Sequence, residues 1–381
     1  MTRALRVLHI ASGDLWAGAE VQAFTLMSHL SRMPETEVAA ILMNEGRLAD
    51  RLRSAGISVN VLDERKTASL GILGQLRGLL RTWRPDIVHT HREKENILGS
   101  LANRSCRNVP SLRTVHGAKE YLASAGWRGV RGRLISGLDL WTGRVLQRKV
   151  VAVTRELGAE MAGLFSPEKV VVIENGVDSE EVRRGIRVAD FKAVEPDAAH
   201  IGIAGRLVKV KRVDLFLEAA ALLVQECPNR CWRFHVFGDG PMRRELEESS
   251  DVKRLAKRVM FHGHREDITT CIAGLDALVM CSDHEGMPMA ALEAAALGVP
   301  VVAHAVGGLV AVVPDEFLIT RHDASGYMDG ILRVLRADGR AIAARCAAET
   351  LKQFSAQRNA ERVRALYEQM LADMNDVRAE V

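Results

Sequence analysis

The sequence predicts an α/β protein of two lobes, each an open parallel sheet wrapped by helices. Three observations carry that expectation. Short runs rich in β-branched residues alternate with segments whose apolar residues repeat at helical spacing, the pattern of strands joined by helical crossovers. The alternation stops once, over a polar, aperiodic stretch at 178–198, and then restarts. The length, 381 residues, exceeds one ordinary domain and suits two of similar size.

Each predicted element follows from its own residues. In the first lobe the strand-like runs are RVLHI (6–10), EVAAILM (37–43), ISVNVL (57–62), DIVHTH (86–91), SLRTVH (111–116), KVVAVT (149–154) and KVVVIEN (169–175). Segments such as AEVQAFTLMSHLSR between them carry the helical period. The second lobe repeats the design with HIGIAG, WRFHVFG, RVMFHG, DALVMCS and VPVVAH. The expected boundaries are 1–177 for the first domain, 178–198 for a linker and 199–354 for the second. The amphipathic tail at about 355–381 has no strand after it and is expected to pack back on the first. Continuous apolar strands of this kind are buried on both faces. Ligands of open parallel sheets bind beyond the carboxyl ends of the strands, so the residues that follow strands deserve the closest reading.

Composition narrows the function. Apolar residues make up 48% and charged residues 26%, which are globular proportions. A net charge of +4 is too weak to argue for nucleic acid and is compatible with anionic small molecules or an anionic membrane surface. The six cysteines are scattered without paired zinc spacing and read as reduced core thiols. The apolar run near Arg3 and Arg6 is cut by His9 and Asp14, too short for a secretory signal, and no run reaches membrane-spanning length. A cytoplasmic protein with at most peripheral membrane contact is therefore expected.

Two stretches carry chemistry. In 205-GRLVKVKRVDLFLEAA-220, Gly205 ends a strand, and Arg206 and Lys211 flank a short loop at the mouth of a helix. Cations there oppose the helix dipole unless an anion lies between them and the free N–H groups. The alternative is a solvated basic turn. In 281-CSDHEGMPMAALEAAALGVPVVAHAVGG-308, a strand leads to a turn at Glu285 and Gly286, and Pro288 suits the first helical position. Amides near Gly286 and Met287 would then be free for an anion, with Glu285 beside whatever the anion carries. Glu293, inside an alanine-rich helix, is suited to gripping vicinal hydroxyls such as those of a ribose. The alternative is that both glutamates are surface residues.

Taken in order and spacing, NGVD (175–178), GRLVKVKRVDLFLEAA, FGDGPMRRELE (237–247), FHGHREDI (261–268) and EGMPMAALE resemble the retaining glycosyltransferases of family 4, whose GT-B fold is two facing Rossmann-like domains with an interdomain cleft. The resemblance covers nearly all of 170–308. It implies that Gly205, Arg206 and Lys211 meet the donor diphosphate, that Glu293 binds the ribose, and that Glu285 with Gly286, Met287 and Pro288 holds the donor sugar. His264, in FHGHRED, would pass near the base of a UDP- or GDP-linked donor. FGDGP reads as a structural strand-to-helix turn.

The first lobe matches more loosely. ASGDLWAGAEVQAF resembles the family's glycine-bearing first loop, with Gly18 and Glu20 on the acceptor side, although Ala17 and Ala19 stand where paired glycines are common. RTVHGAKE resembles the strand end whose histidine, here His116, sits near the reacting sugar, and DIVHTHREKEN adds His91. The catalytic set implied is His116, Arg206, Lys211 and Glu285. A second departure is the lack of a glutamate directly after Gly308. No Asp-x-Asp or H-E-x-x-H occurs, so no metal and no cofactor are expected beyond the nucleotide-sugar substrate, whose leaving charge the cations and helix amides would meet.

The segment 126–149 sets Arg128, Arg131, Arg133, Arg144, Arg148 and Lys149 among Trp127, Ile135, Leu138, Leu140 and Trp141. That suits either an anionic leaflet or a solvated helix over the sheet. The function implied is a retaining, metal-independent glycosyltransferase acting on a saccharide or polyprenyl-linked acceptor, in bacterial surface polysaccharide or glycolipid synthesis. A GT-B epimerase and a degenerate homologue serving as a binding module remain alternatives.

Overall fold

The computed structural model describes residues 3–13, 16–117 and 130–379, except for the side chains at 130, 131 and 375–379. The chain divides into two compact units, Met1–Gly176 with Ala356–Val381, and Val177–Ser355.

The first unit holds a seven-stranded sheet of β1 (Leu5–Ala11), β2 (Thr36–Leu42), β3 (Ser58–Val61), β4 (Ile87–Thr90), β5 (Ser111–Val115), β6 (Lys149–Ala152) and β7 (Val170–Val172), in the order β3-β2-β1-β4-β5-β6-β7. Every neighbouring pair is parallel. All seven predicted runs became strands. The last is shorter than its apolar run because the chain leaves the sheet after Val172.

Side chains alternate between faces along a strand, so β1 splits its residues. Val7 and Ala11 join Ala23, Leu26, Met27 and Leu30 of helix Gly18–Ser31 and Ala360, Val363, Tyr367 and Met370 of helix Ala356–Ala379. Leu8 and Ile10 pack instead with Ile72, Leu76 and Leu80 of helix Ser69–Trp83 and with Leu98 and Ala102 of helix Glu93–Cys106. Each fully buried Leu, Ile or Met contributes about 1.5–3 kcal/mol. The C-terminal helix is thus bound by its own apolar stripe.

The second unit holds β8 (Ala199–Ala204), β9 (Trp232–Phe237), β10 (Val259–Gly263), β11 (Ala277–Met280), β12 (Val301–His304) and β13 (Leu318–Ile319), all parallel, in the order β10-β9-β8-β11-β12-β13. The sequence did not show β13, which at two residues is shorter than any period-based reading can detect. The segment 178–198, which reads as a linker, contains two short helices, Ser179–Arg183 and Asp190–Val194. The Asp178 carboxylate caps the first by accepting from the Glu180 and Glu181 amides at 3.1 and 2.9 Å.

Two sequence expectations need correction. The six cysteines are free, but only Cys271 and Cys281 are buried and Cys231 is exposed, so most are not core thiols. Pro288 is the residue before helix Met289–Leu297, not its first turn, because its ψ of 106° is extended. Its missing N–H is still no loss at that place.

In both sheets the strand order reverses at one point, between β1 and β4 and between β8 and β11. Crevices at such switch points are where open α/β sheets bind ligands.

Candidate active site

In the second unit the loops leaving β8 and β11 meet. Gly205 follows β8 at φ 150°, a region open to glycine, and its amide donates to Phe237 O at 2.9 Å. A side chain on Gly238 would lie 1.9 Å from Gly205 O, and one on Gly240 would lie 2.4 Å from Leu207 O. The FGDG turn therefore serves as the wall against which the 205–207 loop is laid. From there a 3-10 turn, Lys209–Lys211, leads through Arg212 in left-handed geometry (φ 46°) into helix Val213–Glu226.

This path brings Lys211 to Glu285: Nζ lies 2.5 Å from Oε1, and the same oxygen accepts from Ser282 Oγ at 2.6 Å. The Glu285–Pro288 turn is itself held by the glycine pair Gly307–Gly308. Gly308 N donates to Gly286 O at 3.0 Å, and a side chain on Gly307 would lie 1.9 Å from Glu285 O. Behind the pair, Arg212 binds Asp214 at 2.9 Å and Asp283 at 3.4 Å. Asp283 also meets His322 Nε2 at 3.2 Å, and His322 stacks on His304 at 3.7 Å. Arg206 is exposed and, among the described residues, its guanidinium makes no hydrogen bond or ion pair, although its carbonyl accepts from the Val208 amide at 2.9 Å. A small cavity lined by Gly205, Arg206, Lys211, Cys281 and Ser282 opens beside these groups.

Glu293 sits in helix Met289–Leu297, where burial raises its carboxyl to about 7, and its side chain has no hydrogen-bond or ion-pair partner among the described residues. The residue is half-buried, and no described protein group uses the lone pairs of its carboxylate. Met287 and Pro288 are buried. His264 is exposed just beyond β10 and shares no hydrogen bond with the other predicted site residues. The structure thus joins Gly205, Lys211, Glu285 and Gly286 directly, while Arg206 stands on the same loop and Glu293 on the following helix.

In the first unit Gly18 opens its helix and is exposed. Glu20 is buried, accepting from the Ala17 amide at 3.2 Å and pairing with Arg92. Glu20 therefore caps the helix and neutralises a cation that the sequence reading did not single out. His116, one residue past β5, lies in a row of imidazoles. His9 Nδ1 is 2.9 Å from His91 Nε2, and His91 Nδ1 is 3.4 Å from His116 Nε2. His89 is held at both nitrogens, by Tyr367 Oη at 2.6 Å and Thr114 Oγ1 at 2.7 Å. Burial lowers His9 to about 3 and His116 to about 4, and it lowers His89 and His91 as well, so the row is neutral. His9, His89 and His91 bring one ring nitrogen each within 4.8 Å of one another, a spacing that bears on the expectation of no metal. The sequence signal for this row was present in LHI, HTH and TVH, whose histidines share one face through the strand period.

The basic segment is described only in part. Trp127 and Arg128 lie outside the described residues, as does the side chain of Arg131. Helix Val130–Val145 buries Asp139 and Thr142, and exposes Leu134 (67%), Leu138 (40%), Trp141 (45%) and Val145 (59%). Among the described residues, no helix is long and apolar enough to cross a membrane.

Comparison with known proteins agrees with this architecture. The pattern of Glycosyltransferase Family 4 matches residues 16–181, and that of Glycosyl transferases group 1 matches 198–337. A D-inositol 3-phosphate glycosyltransferase of Saccharomonospora viridis is 30% identical over 318 residues, covering 78% of this chain and 73% of its own. The UDP-Gal:alpha-D-GlcNAc-diphosphoundecaprenol alpha-1,3-galactosyltransferase of Escherichia coli is 26% identical over 388 residues, covering 97% and 98%. Among solved structures, Anabaena HepE in complex with UDP-glucose superposes with a TM-score of 0.79 at 18% identity, over 95% of this chain and 99% of its own. Sucrose-phosphate synthase of Thermosynechococcus elongatus gives 0.77 at 18%, over 97% and 100%. The chain belongs to glycosyltransferase family 4 and is a glycosyltransferase built from the two Rossmann-like units of the GT-B fold.

Proposed function

We propose that the chain is a retaining, metal-independent glycosyltransferase that moves a sugar from a nucleotide diphosphate to a saccharide or polyprenyl-linked acceptor in bacterial surface polysaccharide or glycolipid synthesis. The observation that carries the reading is the Lys211–Glu285 pair beside the uncompensated Arg206, where the β8 and β11 loops meet. A donor diphosphate offers oxygens that compete for the Lys211 ammonium. Its arrival releases Glu285 to accept from sugar hydroxyls, while the Arg206 guanidinium gains its first partner. Glu293 takes the ribose hydroxyls, and amides at Gly286 and Met287 complete the anion site.

As the bond between the anomeric carbon and the diphosphate oxygen breaks, negative charge grows on the phosphate, where Lys211 and Arg206 hold it more tightly than in the ground state. The acceptor oxygen attacks from the face being vacated, and the departing phosphate oxygen takes its proton. No carboxylate nucleophile is required. Of the two bases the sequence leaves open, UDP is favoured, because the Escherichia coli relative is named for a UDP-linked sugar and the HepE structures hold UDP and UDP-glucose.

The same Escherichia coli name supports a diphosphoundecaprenol-linked acceptor, which would place the enzyme at the inner face of the plasma membrane. The apolar stripe of helix Val130–Val145, with exposed Arg133, Arg144 and Arg148 beside it, supports peripheral docking on an anionic leaflet.

Calorimetric titration with UDP- and GDP-sugars tests the donor. Binding of a UDP-sugar supports the reading, and binding of none removes it in favour of a degenerate homologue. Turnover that EDTA abolishes and Mg²⁺ or Mn²⁺ restores would refute metal independence, and an epimer formed without acceptor would point to an epimerase.

A further inference from the structure

The imidazole row of the first unit holds more information than the position of His116. A neutral imidazole carries one N–H, so in a chain of N···N hydrogen bonds every ring must be protonated on the same side. His91 uses both nitrogens, Nε2 toward His9 and Nδ1 toward His116. Only two arrangements satisfy both contacts. In one, all three protons sit on Nδ1, and the bonds run from His9 to His91 to His116. In the other, all three sit on Nε2 and the bonds run in reverse.

The two ends decide between them. His9 Nε2 and His116 Nδ1 are both buried without a partner among the described residues. His9 is fully enclosed between the sheet and its covering helices, so whatever it leaves unpaired stays unpaired. A buried N–H without an acceptor is rarer in proteins than an unused acceptor. One end must keep an unpaired N–H, and because His9 is fully enclosed while His116 is half-buried beside the carboxyl end of β5, a ligand can supply the missing acceptor only at His116; the bare lone pair is therefore assigned to His9 Nε2 and the protons to Nδ1. His116, one residue beyond the carboxyl end of β5, then ends the chain with an N–H at the edge where ligands bind.

A metal ion is the competing use of these rings, but the contacts oppose it. Both His89 nitrogens are held by hydroxyls, and His9 Nδ1 and His91 Nε2 share one hydrogen bond. Of the grouped rings, only His9 Nε2 is left to ligate.

We propose that His91 and His9 are positioning residues that hold His116 as the Nδ1–H tautomer, so that His116 meets substrate as a hydrogen-bond donor and not as a base. The inference rests on the reading that His116 faces the reacting sugar, and it specifies the contact: an N–H to a sugar hydroxyl or phosphate oxygen. Proton relay along the row is closed, because His9 Nε2 meets no proton donor among the described residues. Removal of the acceptor proton is left to the departing phosphate.

Long-range ¹H–¹⁵N spectra of the ligand-free protein at neutral pH test the tautomer without any substrate. His116 should show a protonated Nδ1 and a bare Nε2, and His91→Phe, which cuts the chain, should turn this into a mixture. His91→Asn places an amide N–H close to where His91 Nδ1 stood and should restore the single tautomer. In transfer assays His91→Phe should lower kcat/KM roughly tenfold, about one hydrogen bond's worth. Binding of UDP alone should be unchanged, and His91→Asn should recover most of the loss. Circular dichroism and melting temperature control for folding. A His116 carrying its proton on Nε2, or a spectrum indifferent to His91→Phe, overturns the proposal. An Nδ1–H tautomer in a protein that transfers no sugar would leave the proposal standing and remove the functional reading instead.

Discussion

The two units place different chemistry at their switch points. The ends of β8 and β11 gather ionic side chains, Arg206, Lys211 and Glu285, partly open to water. The ends of β4 and β5, with His9 inside β1 behind them, gather imidazoles that burial has made neutral, His9, His91 and His116. A cation pairs with whatever anion is nearest, so Lys211 waits on Glu285 until a stronger ligand displaces it. A neutral ring has no such choice, and its direction is set by its neighbours. The first arrangement suits a charged ligand that arrives and leaves; the second suits an uncharged hydroxyl that must be oriented. A second imidazole row, His200–His235–His262 at 2.9 Å spacings on β8, β9 and β10, sharpens the contrast. There His200 Nε2 lies 2.8 Å from the Glu195 carbonyl, which can only accept, so the direction of that row is fixed by the backbone.

The sharpest way to break the comparison is to show that charge in the first unit is functional too. Its buried pair, Arg113 with Asp139, is fully enclosed: Nη1 meets both carboxylate oxygens at 2.9 Å, and Nη2 meets Thr142 Oγ1 at 3.1 Å. Arg113→Met takes away the cation that faces the buried Asp139 carboxylate, and should cost about 3–5 kcal/mol of stability in a denaturant titration. Arg113→Met with Asp139→Leu should recover most of that, with sugar transfer intact in the folded fraction. A double variant that is stable yet inactive would place the pair in the mechanism.

Lys211→Ala is next in size. Leaving-group charge grows in the transition state, so kcat should fall by about 2–4 kcal/mol, on the order of 30- to 1000-fold, while UDP affinity falls much less. Unchanged kcat would refute the role of Lys211.

What could be read in advance divides along the same line. The strands were legible because continuous apolar runs such as KVVAVT declare buried parallel strands by composition alone. The loops after β8 and β11 were legible because GRLVKVK and EGMPMAALE are contiguous, so sequence neighbours are also spatial neighbours. The imidazole row is assembled from three strands far apart in sequence, and its meaning comes from register: His9 stands opposite His89 across β1 and β4, and no local pattern states that pairing. Arg92 was hidden for the same reason, since its partner Glu20 lies 72 residues away. Asp139 reads as a lone acid in a basic segment until Arg113 is found beneath it.

Glu293 tests the comparison from within the charged site, since burial has raised its carboxyl to about 7. The folded protein holds a proton there that the unfolded chain releases near its ordinary value of 4.5, so this residue's contribution to stability is lost as pH rises from about 4.5 to 7. Glu293→Gln should remove that slope. If the ionised carboxylate grips the ribose, UDP affinity should weaken as pH falls below about 7, and Glu293→Gln should bind more weakly with a flat profile. A wild-type affinity that does not change between pH 6 and 8 would detach Glu293 from the nucleotide.

The smallest expected effect concerns the outward face of helix Val130–Val145, where the first unit does carry exposed charge. The helix is inverted for a water-soluble surface: Asp139 and Thr142 point inward to Arg113, and Leu134, Leu138, Trp141 and Val145 point out. Such an arrangement is favourable overall when the outer face meets a hydrocarbon boundary, and the exposed Arg133 and Arg144 suit an anionic one. Each basic side chain near such a leaflet contributes on the order of 1 kcal/mol, screened by salt. The protein should therefore sediment with vesicles containing phosphatidylglycerol at low ionic strength and be released at high salt. Arg133→Glu with Arg144→Glu should weaken binding at low salt, whereas Trp141→Ser should weaken what persists as salt is raised, separating the electrostatic from the apolar part. Equal sedimentation with neutral and anionic vesicles, or none with either, would assign the stripe to another use and leave a soluble saccharide as the better acceptor.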